Sequence, residues 1–376
     1  DEQPLNARGQ LKLTRAQATQ LGALADELGP ALLWSGETKL QELAQRLREF
    51  RGLVALQESA ALRATLRPYQ REGLAWLQFL REYGFGGVLA DDMGLGKTVQ
   101  ALAHLQLEKD AGRLDRPALV VAPTSVLVNW RREAERLAPN LRVLTLHGAE
   151  RKRDFDKLAA HDLVLTSYAL LVRDADIFRA QAFHSVILDE AQAIKNPRAK
   201  AADVARSLDT QHRLCLTGTP MENHLGELWS LFHFLMPGWL GDERRFRRLF
   251  RTPIEKHGDG ERRVALARRL KPFLLRRTKE QVATELPAKN EIVREVELDG
   301  AQRDLYESIR VALHDKVRQE VEKHGLARSQ IIILDALLKL RQVCCDPRLL
   351  KLDAAKKVRQ SAKLELLLDM LPELIA

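Results

Sequence analysis

At 376 residues, 45% of them hydrophobic, the chain is long enough for two or three domains with real cores and too apolar for disorder to be the default. No apolar run approaches the ~18 residues of a membrane span, no signal peptide is visible, and three cysteines without a C-x-x-C imply neither zinc nor a disulfide framework. The net charge of +9 is concentrated: residues 241–280 hold fourteen Lys/Arg against six Asp/Glu, which points to a polyanion partner.

The first residue is Asp1 rather than Met, and Ala376 sits inside an apolar helical pattern, so a piece of a longer protein is expected. Residues 1–60 read as an accessory helical segment: Leu40, Leu43, Ala44 and Leu47 recur at helical spacing, Gly52 stops that helix, and Gly29-Pro30 closes the one before it. A further helix spans 66–83, with Pro68 in its first turn and Leu74, Leu77 and Leu80 on one side. Gln70, near its start, offers one donor and one acceptor, which suits either an adenine or solvent.

Residues 87–90 read as a short buried strand, and a helix is expected from Thr98 onward with Val99, Leu102 and Ala103 on one face. The turn between them holds Gly94 and Gly96, followed by Lys97 and Thr98. Glycines reach positive φ and let backbone N–H groups approach phosphate oxygens, and a helix N-terminus adds partial positive charge. Lys97 then supplies a full charge to a triphosphate, and the Thr98 hydroxyl a ligand to Mg2+. The first glycine of the general G-x-x-x-x-G-K-[ST] pattern is missing, because Asp91 occupies its place.

Apolar runs follow at 118–122, 142–146, 163–166, 185–188 and 213–217, separated by helical stretches such as 125–137 and 199–208. Alternation of this kind predicts an α/β fold with a parallel sheet covered by helices, and ligands at the carboxyl ends of its strands. Three polar groups stand at such ends: Pro123-Thr124-Ser125, Asp189-Glu190 and Thr217-Gly218-Thr219. Two adjacent carboxylates ending a buried strand call for a nearby cation. With a phosphate loop upstream that cation is Mg2+, held by Asp189 through water, while Glu190 polarises the attacking water.

Asp189-Glu190-Ala191-Gln192 and Leu216-Thr217-Gly218-Thr219-Pro220 resemble motifs II and III of superfamily-two helicase-like ATPases. Met221-Glu222-Asn223, Glu227 to Leu231 and Pro237-Gly238 narrow the resemblance to the Swi/Snf-type DNA translocases, as does the acidic Asp91. Further matches are Arg67-Pro68-Tyr69-Gln70, Pro123 to Trp130, Thr166-Ser167-Tyr168, Ile194-Lys195-Asn196 and Leu275-Arg276-Arg277-Thr278-Lys279.

The resemblance implies a RecA-like lobe of the P-loop NTPase class over 61–221, a mostly α-helical protrusion over 222–355, and the start of a second lobe over 356–376. It implies that Arg67, Gln70, Asp92, Met93, Gly94, Leu95, Gly96, Lys97 and Thr98 bind ATP, with Thr98 and Asp189 on Mg2+. Lys97, Asp189, Glu190 and Gln192 form the catalytic set, and Thr217, Gly218 and Thr219 couple it to DNA. Pro123, Thr124, Ser125, Asn129, Ser167 and Tyr168 are expected at a DNA backbone strand, and Arg244, Arg245, Arg247 and Arg248 at phosphates. In the protrusion, Leu298, Gln302, Leu305 and Tyr306 fit one helix and Ile331 to Val343 another.

Motifs IV to VI, with the family's arginine finger, do not occur in these residues, so almost no DNA-stimulated hydrolysis is expected of the chain alone. The implied protein is a monomer on double-stranded DNA, with RNA polymerase or another DNA-bound protein as a candidate partner. It is expected in the bacterial cytoplasm at the nucleoid, or in a nucleus if eukaryotic. Two rival readings are an ATP-dependent RNA helicase and a non-catalytic scaffold. Against the first, the segment from Pro123 to Trp130 lacks an Arg-Glu-Leu; against the second, Lys97, Asp189 and Glu190 are all intact.

Overall fold

The structure is a computed structural model that describes residues 56–219, 224–282, 292–326 and 328–375. The helices expected before residue 56 and the stretch Pro220-Met221-Glu222-Asn223 lie outside the described residues. The chain divides into two compact units, Asp1–Leu286 and Pro287–Ala376.

Among the described residues of the first unit, seven strands form one parallel sheet: β1 (Gly87–Leu89), β2 (Ala118–Ala122), β3 (Val143–Thr145), β4 (Leu163–Ser167), β5 (Phe183–Asp189), β6 (Thr210–Leu216) and β7 (Leu274–Leu275). Their order across the sheet is β3-β4-β2-β5-β6-β1-β7. Burial is continuous along β2, β4 and β5, as it must be in a parallel sheet covered by helices. The flanking helices are α1 (Pro68–Tyr83), α2 (Lys97–Asp110), α3 (Thr124–Leu137), α4 (Tyr168–Arg173), α5 (Ala175–Ala180) and α6 (Lys200–Ser207). Each strand and helix anticipated from the apolar runs between 66 and 217 is present, with ends shifted by at most three residues.

The order places the site. β5, β6 and β1 are neighbours, and in register Asp189 faces Leu216 and Leu216 faces Leu89. The three polar segments that follow these strands therefore emerge side by side along one edge. β2 and β4 adjoin them on the β5 side, with Ala122 opposite Ser167.

The boundary expected at residue 222 is not where the structure divides. Helix α7 (Leu225–Leu235) is buried against the sheet through Leu228, Leu231, Phe232 and Phe234, members of the same apolar core as the strands. Its apolar residues run around the whole helix, which suits an interior position. The short helices α8 (Glu243–Phe246), α9 (Thr252–His257) and α10 (Gly260–Leu270) follow, anchored in that core by Phe246, Phe250, Leu266 and Leu270. The chain then returns to the sheet as β7, where Leu274 and Leu275 pair with Val88 and Leu89. Two residues are too short a run to announce a strand by periodicity. Helix α11 (Lys279–Val282) begins four residues after β7 ends.

The second unit is helical: α12 (Gly300–His324), α13 (Gln330–Cys345), α14 (Asp353–Lys356) and α15 (Ala362–Ile375). Its core is small, built from Leu305, Ile309, Val343, Leu350, Ala355 and Val358. Gln302 is fully buried and ties the unit together, donating to the Val343 carbonyl at 2.8 Å and accepting from the Ala362 N–H at 2.9 Å. Of the residues assigned to one helix, Gln302, Leu305 and Tyr306 lie in α12, whereas Leu298 precedes it.

Candidate nucleotide site

The loop from Asp91 to Gly96 joins β1 to α2. Gly94 and Gly96 hold φ values of +86° and +80°, a region costly for any residue with a β carbon. Gly96 is doubly constrained: a β carbon there would come within 2.6 Å of Gln70 Nε2. Buried Leu95 pins the middle of the loop, and its carbonyl accepts from the Tyr69 hydroxyl at 3.2 Å and from Gln70 Nε2 at 3.1 Å. Gln70 Oε1 accepts the Arg67 N–H at 2.9 Å. The donor and acceptor offered to an adenine are thus both engaged, and Gln70 stands between the start of α1 and the loop.

Lys97 opens α2, and its ammonium donates to the carbonyls of Asp91 at 2.7 Å and Asp92 at 3.4 Å. Burial pulls its pKa down, while Glu190 and Asp189 act on it in the opposite sense. Thr98 follows in the same first turn, half-buried. Met93 is exposed and its side chain borders Gly218, so the loop touches the segment after β6.

Asp189 ends β5, only 6% exposed. Its Oδ2 accepts from the Trp130 indole at 2.7 Å and its Oδ1 from the Glu190 N–H at 2.9 Å. Burial pushes its pKa up, against the pull of the Trp130 hydrogen bond. Glu190 is the single non-glycine with positive φ among the described residues, at +49°. Such a conformation costs about 1–3 kcal/mol and persists where the surroundings impose it. Here the surroundings are a relay: Gln192 Nε2 donates to Glu190 Oε2 at 2.9 Å, Thr217 Oγ1 donates to Gln192 Oε1 at 3.0 Å, and the Thr219 N–H donates back to Thr217 Oγ1 at 3.0 Å.

A phosphate-type loop after β1, a carboxylate pair at the end of β5 and a hydrogen-bonded link to the segment after β6, the strand between them, define a recognisable constellation. Residues 69–349 match the SNF2-related domain. The chain belongs to the SNF2-related family. Among relatives, it is 42% identical over 341 residues to the putative ATP-dependent helicase/translocase YwqA of Bacillus subtilis, covering 89% of this chain and 36% of that protein. It is 38% identical over 316 residues to the helicase SWR1 of Eremothecium gossypii, covering 77% of this chain and 21% of that protein. The chain thus spans about a third or less of the length of these curated relatives. Among solved structures, the Sulfolobus solfataricus SWI2/SNF2 ATPase core in complex with dsDNA superposes with a TM-score of 0.59 at 37% identity, covering 85% of this chain and 67% of that one. The RecA-like fold of the SNF2 family is thereby established for this chain.

The SNF2-related segments expected at a DNA backbone are sorted by burial. Thr124, Ser125 and Asn129 are exposed on the first turns of α3, with Pro123 half-buried at its N-cap. Ser167 is buried, and its hydroxyl accepts from the Leu170 N–H as the N-cap of α4, so that side chain is withdrawn from the surface. The Tyr168 hydroxyl donates to the Asp189 carbonyl at 2.8 Å. Arg244, Arg245, Arg247 and Arg248 are exposed around buried Phe246.

Two features escaped sequence reasoning. Asp91, fully buried, forms a two-pronged ion pair with Arg277, at 2.9 Å from Nε and 2.6 Å from Nη2. Arg277 also reaches Gln100 Oε1 at 2.9 Å and the Tyr69 carbonyl. Arg277 falls within the basic stretch 241–280, but it is an internal counter-ion and not part of a polyanion surface. The second is Trp130, whose indole holds Asp189. The signal available was that the missing glycine and the pair Arg276-Arg277 lie in segments of opposite charge; their separation along the chain hid the pairing.

Proposed function

We propose that this chain carries the nucleotide-binding lobe of an ATP-dependent motor acting on double-stranded DNA. The relay from Glu190 through Gln192 to Thr217 and Thr219 carries the reading, because it links the carboxylate suited to polarising water with the segment after β6. A change in the hydrogen bonding of Glu190 on hydrolysis is passed directly to that segment. The names of the relatives, ATP-dependent helicase/translocase and helicase, support ATP as substrate, and the dsDNA complex of the Sulfolobus core supports duplex DNA as the track.

In this reading Lys97 leaves the carbonyls of Asp91 and Asp92 for the β- and γ-phosphates, and the N–H groups from Gly94 to Thr98 line the phosphate path. Gln70 and Arg67 meet the adenine once Gln70 exchanges a backbone partner for the base. The residues fit Mg2+: no three His, Cys, Asp or Glu converge among the described residues, while one hydroxyl and one carboxylate suit a cation that keeps waters and takes phosphate oxygens. Thr98 would hold it directly and Asp189 through water, and when bound it would neutralise developing phosphate charge. Glu190 orients the attacking water. The exposed residues of α3 and the arginines around Phe246 then face the DNA backbone. For the whole protein we propose a monomer working in the bacterial cytoplasm at the nucleoid, with RNA polymerase or another DNA-bound protein as partner.

Phosphate release by the full-length protein, stimulated in turn by duplex DNA and by RNA, tests the reading. Duplex stimulation is expected, with Glu190→Gln lowering turnover by on the order of 10²-fold or more. Equal stimulation by RNA would favour an RNA helicase, and undiminished cellular function of Glu190→Gln would favour a scaffold.

A further inference from the structure

Residues 275–279 run alongside the phosphate loop. The Leu275 carbonyl accepts from the Ala90 N–H at 2.7 Å and the Arg277 carbonyl from the Asp92 N–H at 3.0 Å, which prolongs the β1–β7 ladder beyond both strands. Arg277 grips both oxygens of Asp91, and the Lys279 N–H donates to the Asp92 carboxylate at 3.1 Å. Anchors at 275, 277 and 279 restrict where the Lys279 side chain can reach. It reaches the glycine tip of the loop: Lys279 Cε and Nζ each lie 3.6 Å from the point where a β carbon on Gly94 would stand.

The charge balance of the loop sharpens the point. Arg277 cancels Asp91 inside the protein, and one oxygen of Asp92 is occupied by the Lys279 N–H. Two ammonium groups, Lys97 in the first turn of α2 and Lys279 over Gly94, stand at the loop beside the single carboxylate of Asp92, and the Lys279 side chain is exposed to an incoming ligand.

We propose that Lys279 is a second phosphate-binding cation of this site, contacting the polyphosphate of the nucleotide across Gly94. The proposal rests on the nucleotide reading above. It makes β7 part of the binding machinery, because pairing of β7 with β1 is what carries Lys279 to the loop. A lysine at this place selects for polyphosphate length and not for the base.

Displacement of a fluorescent ATP analogue from the full chain by ATP, ADP and AMP, in excess Mg2+, tests it. Lys279→Ala is expected to weaken ATP and ADP on the order of 10-fold, the scale of one charge contact at a surface site, and to leave AMP unchanged. Lys279→Arg retains wild-type affinity, and the difference between Lys279→Ala and wild type narrows as salt is raised. Lys97→Ala is the control. ATP affinity lost in Lys97→Ala but unchanged in Lys279→Ala overturns this inference alone, as does an equal loss for AMP. ATP affinity unchanged in both variants overturns the nucleotide reading with it.

Discussion

At the scale of single residues, the site depends on an ion pair that stands where other phosphate loops have a glycine. Asp91 and Arg277 satisfy each other inside the protein, with Gln100 and the Tyr69 carbonyl completing the guanidinium's partners. Removing one member leaves a buried charge, so Asp91→Ala should destabilise the fold by about 3–5 kcal/mol, and the double change Asp91→Leu with Arg277→Met by clearly less. Equal losses in urea denaturation would show that the pairing does not hold the loop. The same network explains Gly73, an interior residue of α1, where glycine ordinarily costs ~0.5–1 kcal/mol relative to alanine. A β carbon at Gly73 would fall 1.9 Å from Gln100 Oε1 and 2.9 Å from Arg277 Nη2. Gly73→Ala should therefore lower the melting temperature despite its better helix propensity; a rise would mean that the network yields without cost.

At the scale of elements, two faces make opposite claims on charge. The arginines of the 241–280 stretch differ in what they touch: Arg251 pairs with Glu255, Arg262 with Asp259, and Arg269 lies over the Phe250 ring, whereas Arg244, Arg245, Arg247 and Arg248 are exposed around Phe246. If the exposed four meet phosphates, the log–log salt dependence of duplex binding should lose roughly 0.9 per contact when they are changed to Glu. An unchanged slope would leave them as a solvated face. On the inner side, α1, α2, β5 and β6 enclose a polar cluster: Gln78 donates to Glu108 at 2.9 Å, lies 2.9 Å from His104 Nδ1, and His184 packs edge-on to His212. Burial depresses His104 to about 3 and His212 to about 4, with Arg81 adding to both; Glu108, despite its own burial, is held at about 2 by Arg113, His104, Gln78 and Arg81. His184 is lowered too, burial outweighing the opposite pull of Glu108 and Asp115. The unfolded chain therefore binds more protons than the native one below the ordinary histidine value of 6.5. Stability from these imidazoles is complete above pH 6.5 and is lost as pH falls from there towards 3; that from Glu108 goes between 4.5 and about 2. Melting temperature should decline from pH 6.5 downward, and His104→Gln should flatten the decline between 6.5 and 5. A flat profile down to pH 5 in the wild type would contradict this.

At the scale of the whole molecule, two units with separate cores predict two unfolding events. The first unit buries strands, α7 and the anchors of α8 to α10 in one continuous core, while the second relies on Leu305, Ile309, Val343, Leu350, Ala355 and Val358. Calorimetry should show the second unit melting first. Mg-ATP should raise only the transition of the first unit, by about 2.7 kcal/mol at a hundred times the dissociation constant. A single transition, or a shift of the lower one, would refute this division of labour.

The local grammar of the chain was legible without coordinates. Alternating apolar runs announce the strands from 87 to 217, and Gly94, Gly96, Lys97 and Thr98 announce a turn suited to phosphate, because both signals reside in consecutive residues. Asp189, Glu190 and Thr217 to Thr219 could be named as polar strand ends on the same basis, and Gln192 through the family resemblance. That they converge was decided by the strand order, which sets β5, β6 and β1 side by side and lets Glu190, Gln192, Thr217 and Thr219 share hydrogen bonds. The partnership of Asp91 with Arg277, the two-residue strand β7 and the placement of Lys279 at Gly94 were beyond the sequence. Each joins segments some 185 residues apart, a distance over which periodicity carries no information and only the packing of the folded chain selects the partner.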